Sequence, residues 1–146
     1  METTDLGRVL VDTSAWIAYF RKEEPCFALV SELLDDDRIC CLGLILAELL
    51  QGVKNKNEAT SLLGFPHLFD FLPENIENWI SAGSLSNRLR DKGRTVGLAD
   101  CYIAAVAQAH DVPVLTLDNH FFLLRDEGGI NLMPFARQEG EGDVST

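Results

Sequence analysis

The stretch RVLVDTSAWIAYF, residues 8–20, sets the pattern for this chain. Its apolar, β-branched beginning predicts a short buried strand over residues 8–11. A helix is predicted directly afterwards over residues 13–20, because large apolar side chains recur there at helical spacing and Asp12 or Thr13 is a natural N-cap. An acidic residue therefore stands where a buried strand passes into an apolar helix.

The same alternation of strand and helix continues along the chain. Further strands are predicted at residues 39–42, 71–72, 112–117 and 131–135, and Gly43 is expected to break the first of them. Helices are predicted at residues 25–34, 44–50, 57–68, 74–90, 99–110 and 119–126, the third of them bent or broken near Gly64 and Pro66. Because strands that alternate with helices form parallel sheets with crossover helices, the fold class is α/β with about four or five parallel strands.

Composition and charge limit the classes of function. A chain of 146 residues that is 47% hydrophobic fits one domain, expected over residues 1–135, and the Gly-rich, acidic residues 136–146 are expected to be a disordered tail. No apolar run is long enough to span a membrane and no secretory signal is recognisable, so the cytoplasm is the expected location. A net charge of −11 argues against a broad basic surface for nucleic acid, but fits a carboxylate site that holds cations or a basic protein partner.

Four acidic residues lie where apolar residues would pack better. Asp12 and Asp118 each end an apolar strand, Glu48 interrupts an apolar helix, and Asp100 opens another. A buried carboxylate without a partner is costly, and basic residues close to these acids in sequence are scarce. Divalent cations such as Mg²⁺ or Mn²⁺ would stabilise the acids, and the carboxyl ends of parallel strands form the crevice where α/β folds bind ligands.

Each acid also has a simpler interpretation. Asp12, Asp100 and Asp118 fit the N-cap positions of their helices, and Glu48 fits a position that faces solvent. All four together are far rarer by chance than any one of them. Asp100 opens the helix that precedes the strand of Asp118, so the loop over residues 92–97 has to bring the start of this helix to the same edge of the sheet.

Three motifs together resemble the PIN domain family, especially its VapC-type toxins. They are LVDTSAWI, AELLQG and GLADCYIAAVAQAHDVPVLTLDNHF, and the resemblance extends from residue 8 to residue 135. It implies a three-layer α/β/α domain in which Asp12, Glu48, Asp100 and Asp118 bind Mg²⁺ or Mn²⁺ and cleave single-stranded RNA. The same resemblance implies supporting roles for three hydroxyl residues, a cognate antitoxin and a homodimer. The supporting residues are Thr13, Ser14 and Thr116.

Several features leave alternatives open. The densest basic cluster, just before Asp100, is interpreted either as a lip that contacts RNA phosphates or as a solvated helix end. Large apolar residues of the first helix, such as Trp16 and Phe20, belong either to the core or to a groove for an antitoxin helix. The rival functions are a magnesium-dependent phosphatase-like hydrolase with Asp12 as nucleophile, and a PIN-like binding module without catalysis. The basic cluster consists of Arg88, Arg90, Lys92 and Arg94.

Overall fold

Four parallel strands form the sheet of the computed structural model, which describes residues 7–134. The strands are β1 (Val9–Val11), β2 (Ile39–Cys41), β3 (Asp70–Phe71) and β4 (Val114–Leu115). Their order across the sheet is β3-β2-β1-β4, and each neighbouring pair is parallel. The prediction of a parallel α/β sheet with about four strands is therefore confirmed.

The helices pack in two groups on opposite faces of this sheet. The first group is α1 (Thr13–Phe20), α2 (Cys26–Asp35), α3 (Gly43–Gln51), α4 (Lys56–Leu63) and α5 (Phe65–Leu68), and the second is α6 (Ile76–Asp91), α7 (Leu98–His110) and α8 (His120–Gly128). The chain runs from β1 to β3 in one direction across the sheet and then returns past β1 to β4. Right-handed crossovers place the helices of the two directions on opposite faces, which gives the three-layer architecture.

Burial explains why the apolar sequence pattern predicts the first two strands clearly. All residues of β1 and β2 are buried, as is normal for central parallel strands with helices on both faces. The largest fully buried side chains, which include Trp16, Tyr102 and Phe121, come from helices of both groups. The four cysteines are buried as well and act as small core residues.

The structure differs from the sequence predictions at three places. Gly43 begins α3 instead of separating it from β2, and the Glu74 carboxylate accepts a hydrogen bond from the Gly43 backbone N–H (3.4 Å) at this helix start. The strand predicted over residues 112–117 is only two residues long. The strand predicted over residues 131–135 is reduced to a bridge between Val114 and Leu132, while its last residue and the predicted tail lie outside the described residues.

Candidate active site

The candidate site lies at the carboxyl ends of β1 and β4. The chain leaves β1 toward one side of the sheet and enters β4 from the other, so these neighbouring strands form the topological switch point where α/β folds bind ligands. Asp12 follows β1 directly, and Asp118 comes three residues after β4. The Asp12 backbone N–H donates to the Leu115 carbonyl oxygen (3.0 Å), which fixes the two strand ends side by side.

Asp12 is a buried carboxylate held by protein donors, with only 3% of its surface exposed. Its Oδ1 accepts hydrogen bonds from the Ser14 hydroxyl (2.7 Å) and from the Ala15 backbone N–H (3.1 Å). Its Oδ2 accepts one from the Thr116 hydroxyl (2.7 Å). Burial raises the pKa of Asp12 to about 6, although these hydrogen bonds oppose the rise. Asp12 therefore caps α1, as predicted, and its hydrogen bond with Thr116 also connects the end of β1 to the chain that follows β4.

Two hydroxyl residues connect the first helix to the chain that follows β4. The Ser14 hydroxyl oxygen accepts a hydrogen bond from the Leu117 backbone N–H (2.9 Å), and that of Thr116 accepts one from the Asp118 backbone N–H (2.9 Å). Both hydroxyls donate to Asp12 at the same time. Because each hydroxyl both donates and accepts, the position of Asp118 is coupled to that of Asp12.

Glu48 and Asp100 complete the group of acids from two further helices. The Thr13 hydroxyl donates to Glu48 Oε1 (2.5 Å), which links α1 to α3. Asp100 lies in the first turn of α7, where burial and then the charges of Asp118, Asp12 and Glu48 raise its pKa to about 6. The mutual repulsion indicates that all four predicted acids share one site, and the loop over residues 92–97 does bring Asp100 to it.

The donor set fits a divalent cation. Ligand atoms of Asp100, Asp118 and His120 lie within 4.8 Å of one another. Among residues 7–134, no lysine or arginine forms an ion pair with any of the four acids. A group of carboxylates without a lysine or arginine partner is the environment that Mg²⁺ and Mn²⁺ stabilise.

His120 was missed by the sequence analysis. Its Nδ1 lies 3.2 Å from Asp118 Oδ1, and its backbone N–H donates to the same oxygen (2.9 Å). The three histidines are scattered along the sequence, so their spacing indicates no metal site made of histidines alone. The local signal was the spacing of Asp118 and His120, since an aspartate often accepts a backbone hydrogen bond from two residues ahead.

Comparison with known proteins places the chain in a family. Residues 9–126 match the family model described as the PIN domain. The chain belongs to the PIN domain family. A ribonuclease VapC11 from Mycobacterium tuberculosis is 34% identical over 121 residues, covering 77% of this chain and 88% of that protein. A ribonuclease VapC1 from Methanocaldococcus jannaschii is 28% identical and covers 84% of this chain and 85% of its own length.

A solved structure agrees with the PIN fold. VapBC2 from Rickettsia felis, bound to a DNA fragment from its promoter, aligns with a TM-score of 0.69 and 21% identity, covering 88% of this chain and 98% of that one. At this identity the similarity concerns the fold alone. Within residues 7–134, no helix combines the length and apolarity that crossing a bilayer requires.

The basic cluster divides into two pairs. Lys92 forms an ion pair with Glu127 of α8 (2.9 Å), and Arg88 donates to the Glu127 backbone carbonyl (3.4 Å). Arg90 lies in the last turn of α6 and Arg94 in the loop that leads to Asp100, and neither has a side-chain partner within residues 7–134. Arg90 and Arg94 are therefore the members available for an external anion.

A pocket with a mainly apolar lining, which also includes Arg21, Lys54 and Glu58, adjoins the acids on one side. It lies between α1, α3 and α4, has a volume of about 490 Å³, and includes Glu48 in its wall. Phe20 and Ile17 of α1 line it and are 47% and 38% exposed. Trp16 is 1% exposed and belongs to the core, so the first helix presents two of its large apolar residues and buries the third.

Proposed function

We propose that this PIN domain is a metal-dependent endoribonuclease that hydrolyses phosphodiester bonds of single-stranded RNA, and that it is the toxin of a toxin–antitoxin pair in the cytoplasm. The observation that carries the proposal is the convergence of Asp12, Glu48, Asp100 and Asp118 at the switch point of the sheet, with no lysine or arginine of residues 7–134 paired to them. The names of the relatives, which are VapC ribonucleases, point to the same activity.

The chain's own residues account for the binding and orientation that the reaction needs. When Mg²⁺ or Mn²⁺ is bound, its charge polarises the scissile phosphate and eases deprotonation of the attacking water. Asp12 and Asp100 would hold the ion, and Ser14 and Thr116 keep the Asp12 oxygens in place. Glu48, oriented by the Thr13 hydroxyl, and Asp118 would position the water or a second ion.

Arg90 and Arg94 would contact RNA phosphates beside the site, whereas Arg88 and Lys92 are engaged with Glu127. Arginine binds phosphate oxygens through paired, charge-assisted hydrogen bonds. Two cations next to a strongly acidic centre would guide a polyanion to it without a broad basic surface, which agrees with the net charge of −11.

Cleavage of a single-stranded RNA oligonucleotide by the purified chain tests this function. We expect cleavage with Mg²⁺ or Mn²⁺, none with EDTA, and none from the Asp100→Asn variant, which keeps the side-chain size but removes the ligand charge. Circular dichroism of the variant controls for folding. Cleavage that resists EDTA, or a variant with wild-type turnover, would contradict the proposed metal centre.

The two rival functions make different predictions in the same assay. A phosphatase-like hydrolase with Asp12 as nucleophile is disfavoured, because this carboxylate is buried and both its oxygens accept hydrogen bonds from the protein. A binding module without catalysis would bind RNA or a partner but leave the oligonucleotide intact with either metal.

The proposed partner is an antitoxin that covers the pocket between α1, α3 and α4. An apolar antitoxin segment would contact Ile17 and Phe20, and a basic side chain on it would reach Glu48 or Asp100 at the adjoining acids. Asp12 is too buried for such a contact. Structures such as the VapBC complex of Rickettsia felis share this fold.

Expression in cells tests the toxin assignment. We expect the chain alone to arrest growth, co-expression of the neighbouring gene to restore it, and Asp100→Asn to be harmless. The same variant should still bind the partner, although more weakly, because the apolar pocket is unchanged. A wild-type chain that is harmless alone and that co-purifies with no adjacent gene product would contradict the toxin assignment and leave a stand-alone nuclease.

A further inference from the structure

His120 stands at the metal centre with a side chain that the four-acid description does not use. It is the first residue of α8, and it is held there because Phe121 and Leu124 of the same helix are fully buried. The Asp118 carboxylate fixes its backbone N–H (2.9 Å). Its imidazole therefore points from the start of a packed helix toward Asp118.

The spacing of the side-chain atoms matches ligands of one ion. Adjacent ligands of an octahedral ion with bonds of about 2.1 Å are about 3 Å apart. His120 Nδ1 lies 3.2 Å from Asp118 Oδ1, and the three ligand atoms of Asp100, Asp118 and His120 lie within 4.8 Å of one another. Because a neutral Nδ1 acceptor and a carboxylate oxygen repel at this distance, the pair needs either a proton or a cation between them.

We propose that His120 is a ligand of the metal centre and that its imidazole nitrogen makes the site prefer Mn²⁺ to Mg²⁺. This inference rests on the metal centre of the proposed function. Mg²⁺ strongly prefers oxygen ligands and retains water, whereas first-row transition ions accept imidazole nitrogen more readily. A site made only of carboxylates would bind the two ions with more similar affinity, so the added nitrogen is the source of the preference.

Exposure of the imidazole is compatible with this role. The His120 side chain is 57% exposed, and that of Asp118 is 34% exposed. The ion would therefore be open to solvent on the side of His120, where water and a phosphate oxygen can complete its coordination. The closed, buried ligand sets of structural metal sites leave no such opening.

Binding of the metal alone, without RNA, tests the proposal. The Mn²⁺ affinities of the wild type, His120→Ala and His67→Ala are measured by electron paramagnetic resonance, and Mg²⁺ affinities by competition. His67 is the matched control, because it is an exposed histidine on α5 and does not belong to the group of possible ligands. We expect His120→Ala to weaken Mn²⁺ binding by about tenfold or more, with Mg²⁺ binding changed less than about threefold.

A spectroscopic signature separates ligation from mere positioning of Asp118. Electron spin-echo modulation of bound Mn²⁺ should show directly coordinated nitrogen in the wild type and in His67→Ala, and none in His120→Ala. Absence of the nitrogen signal in the wild type, or an equal loss of Mn²⁺ and Mg²⁺ affinity in His120→Ala, overturns the proposal while leaving the ribonuclease assignment intact. A wild-type chain that binds neither ion overturns the proposal and the metal centre together.

Discussion

Two strand ends supply aspartates to this site, and the two carboxylates differ in burial and in hydrogen-bond partners. Asp12, after β1, is buried, and both its oxygens accept hydrogen bonds from protein donors. Asp118, after β4, is about one-third exposed, and its Oδ1 faces the ring of His120. The role of an aspartate at the end of an apolar strand therefore depends on the groups that surround its carboxylate. At β1 protein donors orient a carboxylate whose burial raises its pKa, whereas at β4 the carboxylate is open to solvent beside the His120 ring.

Substitution of the acidic residues should have the largest effect, and this effect is on the rate of RNA cleavage. We expect Asp12→Asn and Asp100→Asn each to reduce RNA cleavage by more than about 100-fold, because loss of a metal ligand should cost at least as much as loss of a residue that only supports one. Both variants should fold. Rates with Mn²⁺ and circular dichroism check this, and a loss confined to Asp100→Asn would mean that Asp12 is purely structural.

The pH dependence of the free energy of unfolding should show the effect of burying Asp12. The pKa of Asp12 is about 6 in the folded chain against 3.8 for an unperturbed aspartate. The folded state therefore retains a proton that the unfolded chain releases, so this contribution to stability is full below about pH 4 and is lost as the pH rises through 6, by up to about 3 kcal/mol. Asp100 acts in the same direction.

Urea denaturation of the metal-free protein between pH 4 and pH 7 measures that loss. Asp12→Asn should show a distinctly flatter profile, because its amide does not titrate in this range. The opposite outcome is a wild-type stability that rises between pH 4 and pH 6 by the same amount as that of Asp12→Asn. It would show that the protein donors offset the burial of Asp12 completely.

Metal binding should stabilise the fold through the less enclosed acids. A ligand present at 100 times its Kd stabilises the folded state by about 2.7 kcal/mol, which for a chain of this size corresponds to a rise in Tm of about 5–10 °C. Thermal unfolding with and without Mn²⁺ checks this. Asp100→Asn should lose most of the shift, but should melt higher than the wild type in EDTA, because one charge of the repelling group is gone.

Removal of one donor from Asp12 should give the smallest effect. Thr116→Val keeps the shape of the side chain but deletes the hydroxyl that donates to Asp12 and accepts the Asp118 N–H. We expect a loss of about 1–2 kcal/mol at pH 7 and less at pH 4, where Asp12 is protonated and the bond is no longer charge-assisted. Equal losses at the two pH values would show that the bond does not depend on the charge of Asp12.

The sequence was sufficient for the parts of the fold that depend on local pattern and burial. The two central strands, β1 and β2, and the helix that Asp12 caps were all predicted close to their observed bounds. β4 was predicted too long because contacts that the local sequence pattern does not show determine where it ends. The Leu117 and Asp118 backbone N–H groups donate to the hydroxyls of Ser14 and Thr116, so the site takes the donors that a longer strand would have used.

Contacts between distant parts of the chain set the limit of prediction within the site. The acids were visible because each interrupts an apolar pattern, and their convergence followed from the rule for parallel sheets. The split of the basic cluster by Glu127 was not predictable, because an ion pair between α6 and α8 leaves no trace in either helix. His120 was missed because an exposed histidine has no apolar pattern to interrupt.

The order of the strands has a consequence for the synthesis of the chain. β1 is made first, but one of its two neighbours in the sheet is β4, and the hydrogen bond from Thr116 to Asp12 spans 104 positions. Contacts of such separation form late, since the loop between them must first be closed. A nascent chain that ends before β4 carries Asp12, Glu48 and Asp100 but neither Thr116 nor Asp118. The acidic site is therefore completed only after nearly all of the domain has left the ribosome.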